Sequence, residues 1–96
     1  MTTTSLLELS LDDGFAKAVE IAGGDTLKGK CTDDERLSLY AHYKMATVGE
    51  NTARMPKSLF SPAEVKKHYA WKNLGTMPAE QAKQAYVQLV QSKLEG

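Results

Sequence analysis

Thr32-Asp33-Asp34-Glu35-Arg36-Leu37-Ser38-Leu39-Tyr40-Ala41-His42-Tyr43-Lys44-Met45-Ala46-Thr47-Val48-Gly49 carries a helix start, a helix body and a helix stop in one run. Thr32 followed three residues later by Glu35 reads as a capping box, in which each side chain satisfies the other residue's backbone N–H. The acids of the first turn also complement the positive end of the helix dipole. Leu37, Tyr40, Ala41 and Lys44 then share one face, and Leu39, Tyr43 and Ala46 mark another. That is the spacing of a helix turning about 100° per residue. Gly49 is the stop. Tyr40 and Lys44 stand at i and i+4 on this helix, and Tyr43 lies about 60° round on the same side. Two flat rings beside an ammonium suit a ligand that has both a planar base and a phosphate.

Upstream, Asp12 or Asp13 is positioned to cap a helix carrying Phe15, Ala18, Val19 and Ala22, which Gly23-Gly24 closes. Asp25 to Cys31 reads as a polar loop. Downstream, a longer connection from Glu50 to Phe60 is broken by Pro56. Ser61-Pro62-Ala63-Glu64 opens a third helix with an N-cap serine, proline at the first helical position and a box-closing glutamate. It runs to about Leu74, with Gly75 as its stop. Thr76 to Glu80 begins a fourth, in which Ala82, Ala85, Tyr86, Leu89, Val90 and Lys93 recur at three- and four-residue intervals. No strand-like alternation or internal repeat interrupts this pattern. The reading is all-α: four helices in one domain over residues 1–96, with 1–11 as a flexible N-terminal extension. Periodicity alone leaves the topology open. The long second connection does allow the chain to cross the bundle.

Composition narrows the function classes. At 96 residues the chain can bury somewhat over 60% of its unfolded surface, enough for one modest core. Twelve basic against twelve acidic residues give zero formal charge, whereas duplex nucleic-acid binding calls for a basic excess. The single cysteine, Cys31, precludes an internal disulfide. Neither the first residues nor any other stretch has the character of a secretory signal or a membrane-spanning helix. A cytoplasmic monomer without stable membrane insertion is the expectation. His42, His68 and Cys31 do not form a zinc-ligand spacing, and no glycine-rich phosphate loop or nucleophile elbow is present. The reading is therefore a non-enzyme with no cofactor and no metal.

The Tyr40-x-x-Tyr43-Lys44 segment followed by Ala46-Thr47-Val48-Gly49 resembles the signature of the acyl-CoA-binding protein family, and the resemblance extends from about Phe15 to Leu94. It implies a four-helix bundle of up-down-down-up topology with a shallow ligand groove. It also implies a carrier that binds and buffers long-chain fatty-acyl-CoA and exchanges it with acyl-CoA-using enzymes. Carried over by position, the resemblance implies that Tyr40 and Lys44 meet the phosphates and Tyr43 the adenine. Lys67 is similar to a lysine near the 3′-phosphate, Tyr86 to a tyrosine that completes the site, and Leu37 and Ala18 fall where the family lines its groove. Departures exist. The family's paired tryptophans appear here as His68 and Trp71, and a lysine late in the first helix has no counterpart unless Lys28 or Lys30 supplies it. Arg36 stands where an apolar residue is often found.

Each of these residues also has an ordinary structural role. Tyr40 and Tyr43 can be core-edge aromatics with hydroxyls in water, and Lys44 and Lys67 solvated cations. Lys66 and Lys72 read as solvated charges. Three rivals to the carrier follow: a helical protein-interaction module that kept the fold and lost the ligand, an enzyme acting on CoA esters, and a nucleic-acid binder.

Overall fold

The computed structural model describes residues 6–52 and 61–95, and within them it contains α1 (Leu11–Gly23), α2 (Asp33–Thr47), α3 (Pro62–Lys72) and α4 (Ala79–Glu95). No strand occurs among the described residues. The start signals act locally, as the residues dictate. The Thr32 hydroxyl accepts from the Glu35 N–H at 3.1 Å while Glu35 Oε1 accepts from the Thr32 N–H at 2.9 Å. Ser61 caps α3 by accepting from the Glu64 N–H at 3.4 Å, with Pro62 at the first helical position. The box-closing role expected of the Glu64 carboxylate is replaced by a 3.7 Å ion pair with Lys67.

Several boundaries differ from the sequence expectation. Ser10, not Asp12 or Asp13, caps α1, its hydroxyl accepting from the Asp13 N–H at 3.2 Å. Both aspartates then fall in the first turn, where their charge meets the unpaired N–H groups. α3 stops at Lys72 and α4 begins at Ala79, each a few residues inside the expected limits. The flexible extension expected over residues 1–11 is only partly open to comparison, since residues 1–5 lie outside the described residues. Within the rest of it, Leu6–Glu8 form a 3-10 turn packed on the bundle. Leu6 is buried, and its N–H donates to Gln91 Oε1 at 2.8 Å. Gly14 makes this docking feasible, because a Cβ there would lie 2.9 Å from the Leu6 carbonyl oxygen.

The directions of the helices follow from side-chain pairings. Asp12 pairs with Lys83 and Phe15 with Tyr86, so α1 and α4 advance together and are parallel. Glu35 pairs with Lys93 while Tyr43 meets Tyr86, so α2 runs against α4. Tyr40 meets Lys67 and Lys44 meets Trp71, so α2 and α3 run together. The order is up-down-down-up. α4 is central, with α1 and α2 against it and α3 on the far side of α2. A parallel pair needs a connection long enough to return to the starting end. That connection spans residues 48–61, of which 53–60 lie outside the described residues.

Phe15, Ala18, Leu39, Tyr86, Val87 and Val90 form the main core, joined by Leu6 from the N-terminal turn and Leu27 from the loop read as polar. Leu27 anchors that loop between two short turns, where its carbonyl accepts from the Lys30 N–H at 3.0 Å. Met45 and Val90 are the largest side chains with almost no exposed surface.

Candidate functional site

The residues singled out on α2 meet α3 and α4 along two adjacent recesses. A groove of about 780 Å³ lies between α2 and α3, and its walls include Leu37, Tyr40, Val65, Lys67 and Tyr69. A second recess of about 340 Å³ lies between the end of α1 and α2, over Tyr40, Tyr43 and Tyr86. Arg36 and Tyr40 border both, one helical turn apart on the ridge that separates them.

The ridge ends in a cluster of cations and rings. Lys44 Nζ stands 5.8 Å from the Tyr40 ring centre and 5.7 Å from that of Trp71. Lys67 Nζ stands 5.5 Å from the Tyr40 ring on the neighbouring helix. Each distance is within the reach of cation–π attraction, worth roughly 0.5–2 kcal/mol at half-buried positions such as these. Two ammonium groups drawn to one ring also repel each other, and Glu64 offsets only part of that charge from 3.7 Å on Lys67. An incoming anion between them relieves the repulsion and gains a charge-assisted hydrogen bond from each.

Behind this cluster the aromatics interlock. Tyr43 stacks on Phe15 with ring centres 6.2 Å apart, and Phe15 meets Tyr86 edge-on at 5.3 Å. Tyr43 is partly exposed while Tyr86 is buried, so the three rings form a wall with one open face. Burial raises the Tyr86 phenol above its ordinary value of 10.0, and the neighbouring Tyr43 adds to the shift. Tyr86 therefore stays neutral and a hydrogen-bond donor across the physiological range.

The connection leaving α2 is tied onto α3. Trp71 donates its indole N–H to the Gly49 carbonyl at 2.8 Å, and the Asn51 amide donates to the His68 carbonyl at 3.3 Å. Gly49 holds a φ of +102°, a left-handed conformation that favours glycine. Trp71 thus both fixes this turn and presents its face to Lys44. His68, at the position where the resemblance implies a second tryptophan, packs edge-on against Tyr69 with ring centres 5.6 Å apart.

Of the residues expected to form the site, Leu37, Tyr40 and Lys67 line the α2–α3 groove, and Lys44 joins them through the Tyr40 ring. Tyr43 and Tyr86 face the second recess. Ala18 stands apart: it has no exposed surface and belongs to the core, because the side of α1 it shares with Phe15 turns inward toward α4. Sequence reasoning sets Lys66 aside as a solvated charge, yet it borders the α2–α3 groove. It gives Phe15 only as part of the helical spacing of α1 and leaves Trp71 outside the expected site, and each touches an expected site residue, Tyr43 and Lys44 respectively. The i, i+4 relation of Lys67 to Trp71 on α3 is the available signal for Trp71. Lys28 and Lys30 are exposed in the α1–α2 loop. No cluster of metal-ligating side chains, and no helix long and apolar enough to cross a membrane, occurs among the described residues.

Comparison with known proteins points to one family. A family model described as acyl CoA binding protein matches residues 12–90. The acyl-CoA-binding protein of Saccharomyces cerevisiae is 41% identical over 75 residues, which are 78% of this chain and 79% of the yeast protein. Acyl-CoA-binding protein homolog 1 of Caenorhabditis elegans is 36% identical over 85 residues, 88% of this chain and 91% of that one. Acyl-CoA-binding domain-containing protein 1 of Arabidopsis thaliana is 41% identical over 83 residues, 83% of this chain but 24% of the plant protein. The chain spans about a quarter of the length of three of the plant relatives it matches and less of a fourth. With a family match over residues 12–90, an all-helical up-down-down-up bundle and the aromatic–cation cluster in place, the chain belongs to the acyl CoA binding protein family.

Proposed function

We propose that this chain is a carrier that binds long-chain fatty-acyl-CoA thioesters reversibly, one to one, and makes or breaks no bond in them. The observation that carries the reading is the Lys44 ammonium held between the Tyr40 and Trp71 rings, with Lys67 on the other helix over the same Tyr40 ring. Tyr40 and Lys67 of this cluster line the α2–α3 groove. Lys44 and Lys67 take the phosphates of the nucleotide. Tyr40 and Tyr43 offer ring faces to the adenine, and Tyr86 supplies a neutral phenol behind them. Leu37 lines the path of the hydrocarbon, and each methylene removed from water contributes about 0.8 kcal/mol before losses. Sequestration lowers free thioester and its detergent action, and buffers the supply to acyl-CoA-using enzymes. The carrier works as a cytoplasmic monomer.

Isothermal titration with palmitoyl-CoA, against free CoA and palmitate, tests this. Tight one-to-one binding of the thioester and far weaker binding of either control is the expected result. Equal affinity for free CoA and the thioester would show that the groove contributes nothing.

A further inference from the structure

Arg36 has no role in the site as proposed, yet it borders both recesses beside Tyr40. Arg36, Tyr40 and Lys44 follow one another at i, i+4 and i+8, a stripe with an aromatic ring between two cations. At 1.5 Å per residue, Arg36 lies about 12 Å along the axis from Lys44. The phosphopantetheine arm of CoA, with its two amides, is equivalent to about four extended residues, or roughly 14 Å. A ligand anchored by its phosphates at Lys44 and entering the α2–α3 groove therefore brings its thioester, not its far methyl end, to Arg36. That places a guanidinium beside the first carbons of the acyl group.

We propose that Arg36 is a specificity-determining residue that favours acyl-CoA thioesters carrying an oxygen at C3, the 3-hydroxyacyl class, an inference that rests on the acyl-CoA reading above. The guanidinium presents two parallel N–H donors in a planar fork. A saturated acyl group offers that fork one acceptor, the thioester carbonyl. A C3 oxygen supplies a second acceptor in a 1,3 relation to the first, so both prongs are used. A carboxylate at this position is disfavoured, since Asp33 and Asp34 border the same groove. A neutral hydroxyl meets no such repulsion. Leu37 and Val65 still accept the rest of the chain.

The test is titration of the chain, Arg36→Leu and Arg36→Lys with 3-hydroxypalmitoyl-CoA and palmitoyl-CoA, read as the ratio of the two affinities. Arg36 is exposed on a helix, and circular dichroism melts confirm that each variant is folded. The chain should bind the 3-hydroxy thioester about tenfold more tightly, as a charged hydrogen bond implies. That preference should vanish in Arg36→Leu. Arg36→Lys keeps the charge and loses the fork, so it should lose most of the preference as well. An unchanged ratio across all three proteins, or full preference in Arg36→Lys, would overturn the inference while leaving the carrier reading intact. Failure of both thioesters to bind the unaltered chain would overturn both.

Discussion

Trp71 and Gly49 are joined by an indole N–H to carbonyl hydrogen bond of 2.8 Å, and the same indole faces Lys44 from 5.7 Å. One side chain therefore holds the exit of α2 against α3 and orients a cation of the site. Trp71→Phe keeps a ring but removes the donor. We expect a loss of about 1 kcal/mol in stability, the net value of one hydrogen bond, measured by urea unfolding. Acyl-CoA affinity should fall several-fold in the same variant, because Lys44 loses its better aromatic partner.

Lys44→Ala should weaken palmitoyl-CoA binding about tenfold or more, since a charge-assisted hydrogen bond is worth roughly 1.5–3 kcal/mol. The salt dependence of binding should fall along with it. Titration at two ionic strengths checks both. Wild-type affinity and salt dependence in the variant would remove the phosphate role assigned to this lysine.

Glu35 divides its two carboxylate oxygens between the Thr32 N–H at 2.9 Å and the Lys93 ammonium. The hydrogen bond from Lys93 and then that from the Thr32 backbone hold its pKa below the ordinary value of 4.5. A depressed folded-state pKa means that its contribution is complete above the unfolded value. It is lost as pH falls below 4.5 and through the folded value. Glu35→Gln should therefore lower stability at pH 7 and narrow its gap to the unaltered chain under acid. Urea midpoints at pH 7 and pH 3 measure this, and equal gaps at both would contradict it.

Gly14→Ala should displace the N-terminal turn, because the added Cβ meets the Leu6 carbonyl oxygen, a backbone atom, at 2.9 Å. Gln91→Ala removes the acceptor of the Leu6 N–H from the other side. Amide exchange at Leu6 should quicken in both variants, while the slow amides of α2 and α4 keep their order. Unchanged exchange at Leu6 would show that the docking does not depend on these contacts.

Met45→Ala should cost about 2–5 kcal/mol, since Met45 is 1% exposed and its removal leaves a cavity. In a domain with about 5–15 kcal/mol in total, that is a large share. A chemical denaturation curve with a midpoint near that of the parent would mean that the core collapses around the gap.

Features that depend on neighbours in sequence are legible from the residues alone. The Thr32–Glu35 box and the Ser61-Pro62 start each involve groups within three residues, so their geometry follows from local chemistry. Choosing between Ser10 and Asp12 or Asp13 as the cap of α1 is not possible in that way. All three side chains accept equally well, and the docked turn before α1 decides it. Leu27 and Gln91 escape sequence reasoning for a related reason. A leucine in a polar loop and a glutamine on a helix carry no periodic signal of burial, and each is buried by a segment far away in sequence. Pairing Lys67 with Tyr40, or Trp71 with both Lys44 and Gly49, is likewise invisible to spacing.

The order of amino acids alone is enough to set the four helices and the N-caps of α2 and α3, and to put Tyr40, Tyr43 and Lys44 on one side of α2. These follow from the 3.6-residue turn and from short-range hydrogen bonds, which need nothing outside the segment. Packing chose which helices touch. Laying α3 parallel to α2 brought Lys67 and Trp71 to the Tyr40–Lys44 pair, while α4 brought Tyr86 to Phe15 and Tyr43. It also turned Ala18 into the core and left Arg36 on the ridge between two recesses. The physical reason is that burial is non-directional and selects whichever packing covers the most apolar surface, so the partners of each helix emerge only when the whole chain is folded.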